Sequence, residues 1–92
     1  MAQKSKWITA LAGGAEEPVP GQPLVEILGD SRVLVEQHGG VSAYGCQCIE
    51  IRVKFGRIRV EGERLRLARM TRSQLVVTGS IRSVQILREG CV

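Results

Sequence analysis

The chain has 92 residues, a formal charge of +4 and an aromatic content of only 3%. This length fits one small domain, whose core must consist of aliphatic side chains. The composition therefore disfavours an enzyme built around a cofactor pocket, and no apolar run is long enough for a membrane-spanning helix.

The N-terminal segment is predicted to be a basic arm. Lys4 and Lys6 lie beside Trp7 and Leu11, which a helix would place on one face at positions i and i+4. A short amphipathic helix and a disordered segment are the two alternatives for its structure. In either form, we expect the arm to assist contact with an anionic membrane or with a membrane partner.

Residues 24–92 are predicted to form the domain, and residues 1–23 the basic arm and a linker rich in Gly and Pro. Apolar and polar residues alternate along the domain, and a period of two is typical of strands with one buried face. Turn residues, many of them glycines, separate the runs, and a tight turn is predicted at Phe55-Gly56. The predicted strands are 24–28, 32–36, 41–44, 48–55, 57–61, 64–70, 74–78 and 81–87.

These seven or eight short strands predict an all-β domain with a small β-sandwich or barrel fold. A short β-solenoid is the alternative, because successive runs have similar lengths. In the last run the alternation slips by one residue between Ile81 and Val84. Such a slip predicts a β-bulge near Arg82 and Ser83.

His38 is the only histidine and the first candidate for chemistry. A catalytic role would require Glu36 or Ser42 to be brought to its ring. In the structural interpretation, the ring instead holds the turn before Gly40 through hydrogen bonds to the backbone. A contact with a partner is the third possibility, and we expect no enzymatic activity.

The cysteines do not form a recognisable metal motif. With His38, the only candidate zinc ligands are Cys46, Cys48 and Cys91, and they lack the usual CxxC spacing. Reduced thiols in a cytosolic compartment are the simpler interpretation. We therefore expect no metal and no cofactor.

Arginines are dense in the predicted strands after residue 56. We expect four of them to cluster across one hairpin face, namely Arg57, Arg59, Arg64 and Arg66. Because neighbouring glutamates would screen part of this charge, a solvated face is one interpretation. The others are a docking surface for an acidic protein or an anionic lipid, and a nucleic-acid-binding β domain.

The order of the motifs resembles the YabP/YqfC family of endospore-forming bacteria, and the YqfC branch more closely. The similar motifs are Ile27-Leu28-Gly29, residues 33–41, Ile49-Glu50-Ile51, residues 56–62 and residues 75–84. The Glu-Asn-His-basic-Gly segment of the family stands at residues 36–40, where Gln37 replaces the Asn and Gly39 the basic residue.

The resemblance implies an immunoglobulin-like β-sandwich, a sporulation role in the mother cell and no known catalytic activity. It also implies a membrane-anchored sporulation partner of the YqfD type. We therefore expect a non-enzymatic assembly or adaptor module, cytoplasmic in the mother cell and peripheral at the forespore membrane. Self-association through sheet edges is expected as well, and nucleic acid is not. Candidate partner contacts are Glu36, Gln37, His38, Gly40, Arg57 and Arg59.

Overall fold

The computed structural model of the chain describes residues 22–89. The predicted basic arm, with Lys4, Lys6, Trp7 and Leu11, lies outside the described residues. Within them, no helix is long and apolar enough to cross a membrane. The strands are β1 (Leu24–Leu28), β2 (Arg32–Glu36), β3 (Val41–Tyr44), β4 (Cys48–Val53), β5 (Gly56–Met70) and β6 (Gln74–Arg88).

The six strands form one sheet in the order β1-β2-β6-β5-β4-β3, and neighbouring strands run antiparallel. The all-β class is confirmed, and the antiparallel pairing does not fit the solenoid alternative. A sandwich of two sheets and a count of seven or eight strands are not confirmed. The count is lower because the chain stays in strand conformation through Gly62 and Gly79, where we predicted turns.

The two longest strands, β5 and β6, connect two halves of the sheet. Each has 15 residues, and they pair with each other along their length. The first half of β5 also pairs with β4, whereas the first half of β6 pairs with β2. We call the two parts the β3–β4 half and the β1–β2 half.

Glycines lie where β5 and β6 approach each other most closely. Gly79 has a φ of +141°, and a Cβ atom there would lie 2.6 Å from the carbonyl oxygen of Arg64. A Cβ atom on Gly62 would overlap the carbonyl oxygen of Ser80. Only a residue without a side chain allows the two backbones to pass at these distances.

The predicted bulge near Arg82 is confirmed. Glu61 is opposite Ser83 and Gly62 is opposite Ile81, which leaves Arg82 as an extra residue on β6. Further register shifts fall between Glu63 and the end of β5. Bulges of this kind bend a strand and increase its twist, and they mark the change from one half to the other.

The hydrophobic core consists of aliphatic side chains at alternate strand positions. Its buried members are Val33, Val35, Ile49, Ile51, Val53, Ile58, Val60, Leu65, Leu75 and Val77. They form one cluster that includes strands of both halves. Because full burial of a Val or Ile side chain contributes about 1.5–3 kcal/mol, this cluster is the main stabilising element of the domain.

Candidate interaction site

The segment after β2 connects the two halves of the sheet. β2 ends at Glu36, and Gln37 then adopts the left-handed region with a φ of +66°. The Gln37 amide donates to the carbonyl oxygen of Ser73 at 2.7 Å, in the β5–β6 turn. Two residues later, the Gly39 amide donates to the carbonyl oxygen of Arg52 on β4, also at 2.7 Å. The segment is therefore fixed at both ends by backbone hydrogen bonds.

The ring of His38 is hydrogen-bonded through both nitrogens. The amide of Gly40 donates to Nδ1 at 2.9 Å, and Nε2 lies 2.9 Å from the carbonyl oxygen of Thr71. A carbonyl oxygen only accepts, so Nε2 carries the proton and the ring is the neutral tautomer. This confirms that the His38 ring holds the turn before Gly40.

The groups that we considered as catalytic partners of His38 have other contacts. Glu36 Oε2 accepts a hydrogen bond from Gln74 Nε2 at 2.9 Å. Ser42 Oγ lies 3.4 Å from the carbonyl oxygen of Glu50, to which it donates. Since both nitrogens of His38 are bonded to backbone groups, the geometry provides no nucleophile–base pair at this residue.

Arg57 and Arg59 are ion-paired with carboxylates of the domain. The carboxylate of Glu50, on β4, lies between them, with Oε1 2.8 Å from Arg57 Nη1 and Oε2 3.3 Å from Arg59 Nε. Arg57 Nε is also 3.1 Å from Glu89, and Arg59 Nε is 3.2 Å from Glu61. Only 12% of the Glu50 side chain is exposed, whereas the arginine side chains are 36% and 40% exposed. Their charge is therefore largely compensated within the β3–β4 half.

The thiol of Cys48 adjoins the same ion-pair network. Arg59 Nε donates to Cys48 Sγ at 3.4 Å. This hydrogen bond raises the pKa of Arg59, and the carboxylates of Glu50 and Glu61 raise it further. The Arg59 guanidinium, which is charged as in every arginine, is thus held between the thiol and two carboxylates.

The thiols of Cys46 and Cys48 are both free. Residues 22–89 contain no group of three His, Cys, Asp or Glu side chains placed to hold a metal ion. Cys91 lies outside the described residues.

The arginines of the second half of β5 and of the β5–β6 turn form a separate surface, which sequence reasoning missed. We define the basic strip as Arg64, Arg66, Arg69 and Arg72. All are exposed, and no ion pair among the described residues includes them. We had grouped Arg64 and Arg66 with Arg57 and Arg59, but the continuous β5 strand carries the two pairs into different halves of the sheet.

The fold and the site define a small all-β domain whose candidate catalytic groups are bonded to its own backbone and side chains. The family model of the YabP family matches residues 21–90, and the chain belongs to the YabP family. This membership confirms the resemblance at the level of the family and suggests a sporulation-related role in a non-catalytic family. No curated protein and no solved structure matches the chain.

Proposed function

We propose that the chain is a non-enzymatic assembly or adaptor module that acts in the mother cell during sporulation. The observation that supports this most strongly is the contrast between two sets of polar groups. His38, Arg57 and Arg59 are bonded within the domain, whereas the basic strip is exposed and has no described carboxylate partner. Charge of this kind on a small rigid sheet suits recognition of another macromolecule.

The proposed partner is the acidic face of a membrane-anchored sporulation protein. Arg66 and Arg69 lie opposite Thr78 and Val76 on the neighbouring strand, so no acidic residue faces them across the β5–β6 pairing. Arginine forms bidentate hydrogen bonds with carboxylates, which makes these side chains effective contacts for an acidic surface. The resemblance of the motifs to the YqfC branch is the reason for proposing a partner of the YqfD type and a cytoplasmic location, peripheral at the forespore membrane.

The test is co-purification from sporulating host cells that express a tagged chain. Membrane proteins are extracted with detergent, and proteins bound to the wild-type chain are compared with those bound to an Arg66→Glu/Arg69→Glu variant. The matched control, Arg52→Glu/Lys54→Glu, makes the same change in charge at exposed positions of the β3–β4 half. We expect a membrane-anchored protein with the wild type and the control, and about tenfold less with the strip variant.

Two results would argue against this proposal. Equal recovery with all three chains would exclude the basic strip as the contact, and recovery of no membrane protein would exclude the adaptor role. Vesicles that contain phosphatidylglycerol provide the remaining comparison. If they bind the purified chain as tightly as the partner does, the strip recognises anionic lipid instead of a protein.

A nucleic-acid-binding β domain is the second candidate, and only the basic strip favours it. Binding to nucleic acid would weaken steeply with salt, because each phosphate contact releases counterions. The strip contains no aromatic side chain on which bases could stack. A gel-shift assay without retardation at low salt removes this candidate.

A further inference from the structure

The second half of β6 is an edge of the sheet. β2 pairs with β6 only as far as Thr78, and the β1–β2 turn adds two bonds, from the amides of Gly79 and Ile81 to the carbonyl oxygens of Ser31 and Asp30. Beyond this point, none of residues 22–89 pairs with the outer side of β6. We call residues 83–88 the β6 edge.

The hydrogen-bond pattern identifies which backbone groups of the β6 edge point away from the sheet. The amide of Glu89 donates to the carbonyl oxygen of Phe55, so these two residues form a hydrogen-bonded pair. In an antiparallel ladder such pairs alternate with non-hydrogen-bonded ones. The backbone groups of Val84, Ile86 and Arg88 therefore point away from β5.

The side chains of the β6 edge favour an apolar contact. Ile86 is 65% exposed, more than any other large hydrophobic residue among those described, and Val84 beside it is half-buried. Arg88 lies over the ring of Phe55, with its guanidinium carbon 5.1 Å from the ring centre. A regular strand that exposes both an isoleucine and unpaired backbone groups is a template for strand addition.

The remaining edges are less suited to strand addition. β3 has four residues and an irregular register at Ser42. The second half of β5 carries three arginines of the basic strip and two register shifts. β1 has the buried Glu26 at its centre. Short strands, bulges and charges all hinder pairing with another chain.

We propose that the β6 edge pairs antiparallel with the β6 edge of a second copy, with Ile86 opposite Ile86 across a two-fold axis. The two residues that flank the edge carry opposite charges: Arg82 precedes it, and Glu89, which also pairs with Arg57 of its own chain, follows it. In an antiparallel arrangement centred on Ile86, Glu89 is opposite Ser83 of the other copy and therefore next to its Arg82. This inference rests on the proposed assembly function and names the surface through which copies would associate.

The outward backbone groups restrict the register. A hydrogen-bonded pairing must join outward-pointing residues of the two copies, so only shifts by two residues are available. A shift by two residues in one direction would place Arg82 opposite Arg88. A shift by two residues in the other direction would separate the two isoleucines. The register centred on Ile86 avoids both and places Val84 opposite the aliphatic part of Arg88.

The test is cross-linking of the purified full-length chain. In a background with Cys46, Cys48 and Cys91 changed to Ser, Ile86→Cys would place two thiols opposite each other across the axis. The expected Cα–Cα distance of a hydrogen-bonded pair, about 5.5 Å, is within the range that a disulfide spans. The matched control is Ile27→Cys, since Ile27 is 53% exposed on the β1 edge. We expect disulfide-linked dimers from Ile86→Cys at least about tenfold faster than from Ile27→Cys.

Sedimentation of variants with the native cysteines provides the second measurement. Ile86→Lys and Ile86→Pro would raise the dimer Kd at least about tenfold, because one adds repulsion and the other removes an outward-pointing amide. Neither should unfold the domain, since the Ile86 side chain is exposed and its amide does not bond to β5. Ile27→Lys would leave the Kd unchanged.

Three outcomes would overturn the inference. They are a wild-type chain that stays monomeric to millimolar concentration, faster cross-linking at Ile27 than at Ile86, and dimerisation that appears only after removal of residues 1–20. The last would identify the chain's own N-terminal segment as the occupant of the edge. If a monomeric chain still recovers the membrane-anchored partner, this inference fails and the proposed adaptor function stands.

Discussion

The Nε2 atom of His38 donates a hydrogen bond to the carbonyl oxygen of Thr71, a residue 33 positions further along the chain. The same ring accepts the amide of Gly40. One side chain thus fixes its own turn and attaches that turn to the β5–β6 turn. A histidine in such a position acts as a structural crosslink, which explains why no catalytic partner needs to accompany it.

Replacing His38 by Ala should destabilise the domain. The change leaves the Gly40 amide and the Thr71 carbonyl without their partner, at a cost of about 2 kcal/mol. For a domain of this size, the expected fall in Tm is about 10 °C. Thermal unfolding followed by circular dichroism measures it, with the exposed Gln47→Ala as the control. An unchanged Tm for His38→Ala would show that the ring bonds do not stabilise the fold.

Replacing Gln37 by Asn should stabilise the domain. Gln37 has a φ of +66°, a region that Asn adopts more readily than Gln. The gain should be about 0.5 kcal/mol, or roughly 2–4 °C in Tm. Gln47→Asn is the control, because Gln47 does not have a positive φ. A lower Tm for Gln37→Asn would mean that the Gln side chain makes a contact of its own.

Replacing Gly79 by Ala should be the most damaging of these changes. The new Cβ atom would lie 2.6 Å from the carbonyl oxygen of Arg64, at a φ of +141°. Backbone strain and displacement of β5 together should cost about 2–4 kcal/mol. Gly29→Ala is the comparison, since its Cβ atom meets nothing within 4 Å and only its φ of +57° is unfavourable. The free energy of unfolding of Gly29→Ala should fall by about 1 kcal/mol. Equal losses for the two variants in urea unfolding would contradict the close approach of β5 and β6 at Gly79.

Deleting residues 1–20 should separate membrane recruitment from folding. The buried core lies entirely within residues 33–77, so the Tm of the truncated chain should stay within a few degrees of the full-length value. Recruitment to membranes in sporulating cells should fall, because Lys4, Lys6, Trp7 and Leu11 are removed. Failure to fold, or unchanged localisation in fractionated cells, would refute the role assigned to the arm.

The pattern of the sequence was sufficient to predict most strands and the core. Strict alternation predicts which side of each strand is buried, and Ile49, Ile51, Ile58 and Val60 are all fully buried. The phase slip after Ile81 likewise predicted the bulge. Glycine was harder to interpret, because Gly62 and Gly79 indicate a turn and a close backbone approach equally well. This ambiguity explains why six strands were predicted as eight.

The position of one turn determined what could be predicted of the site. We placed the turn after β4 at Phe55 and Gly56, but Val53 pairs with Gly56, so the turn residues are Lys54 and Phe55. When a hairpin turn moves by one residue along the chain, each residue of the first strand faces a partner two positions away from its former partner. The observed register places Glu50 opposite Arg59, whereas a turn at Phe55 and Gly56 would place it opposite Glu61. The sequence therefore indicated partial screening by neighbouring glutamates, but not the position of the Glu50 carboxylate between Arg57 and Arg59.

The claim of an assembly role in the mother cell is tested most directly by fluorescence microscopy of the tagged chain in sporulating host cells. We predict a signal confined to the mother cell and concentrated at the membrane that faces the forespore. The signal should become diffuse with Arg66→Glu/Arg69→Glu and stay at the membrane with Arg52→Glu/Lys54→Glu. A uniform signal in vegetative cells, or a signal inside the forespore, would contradict the account.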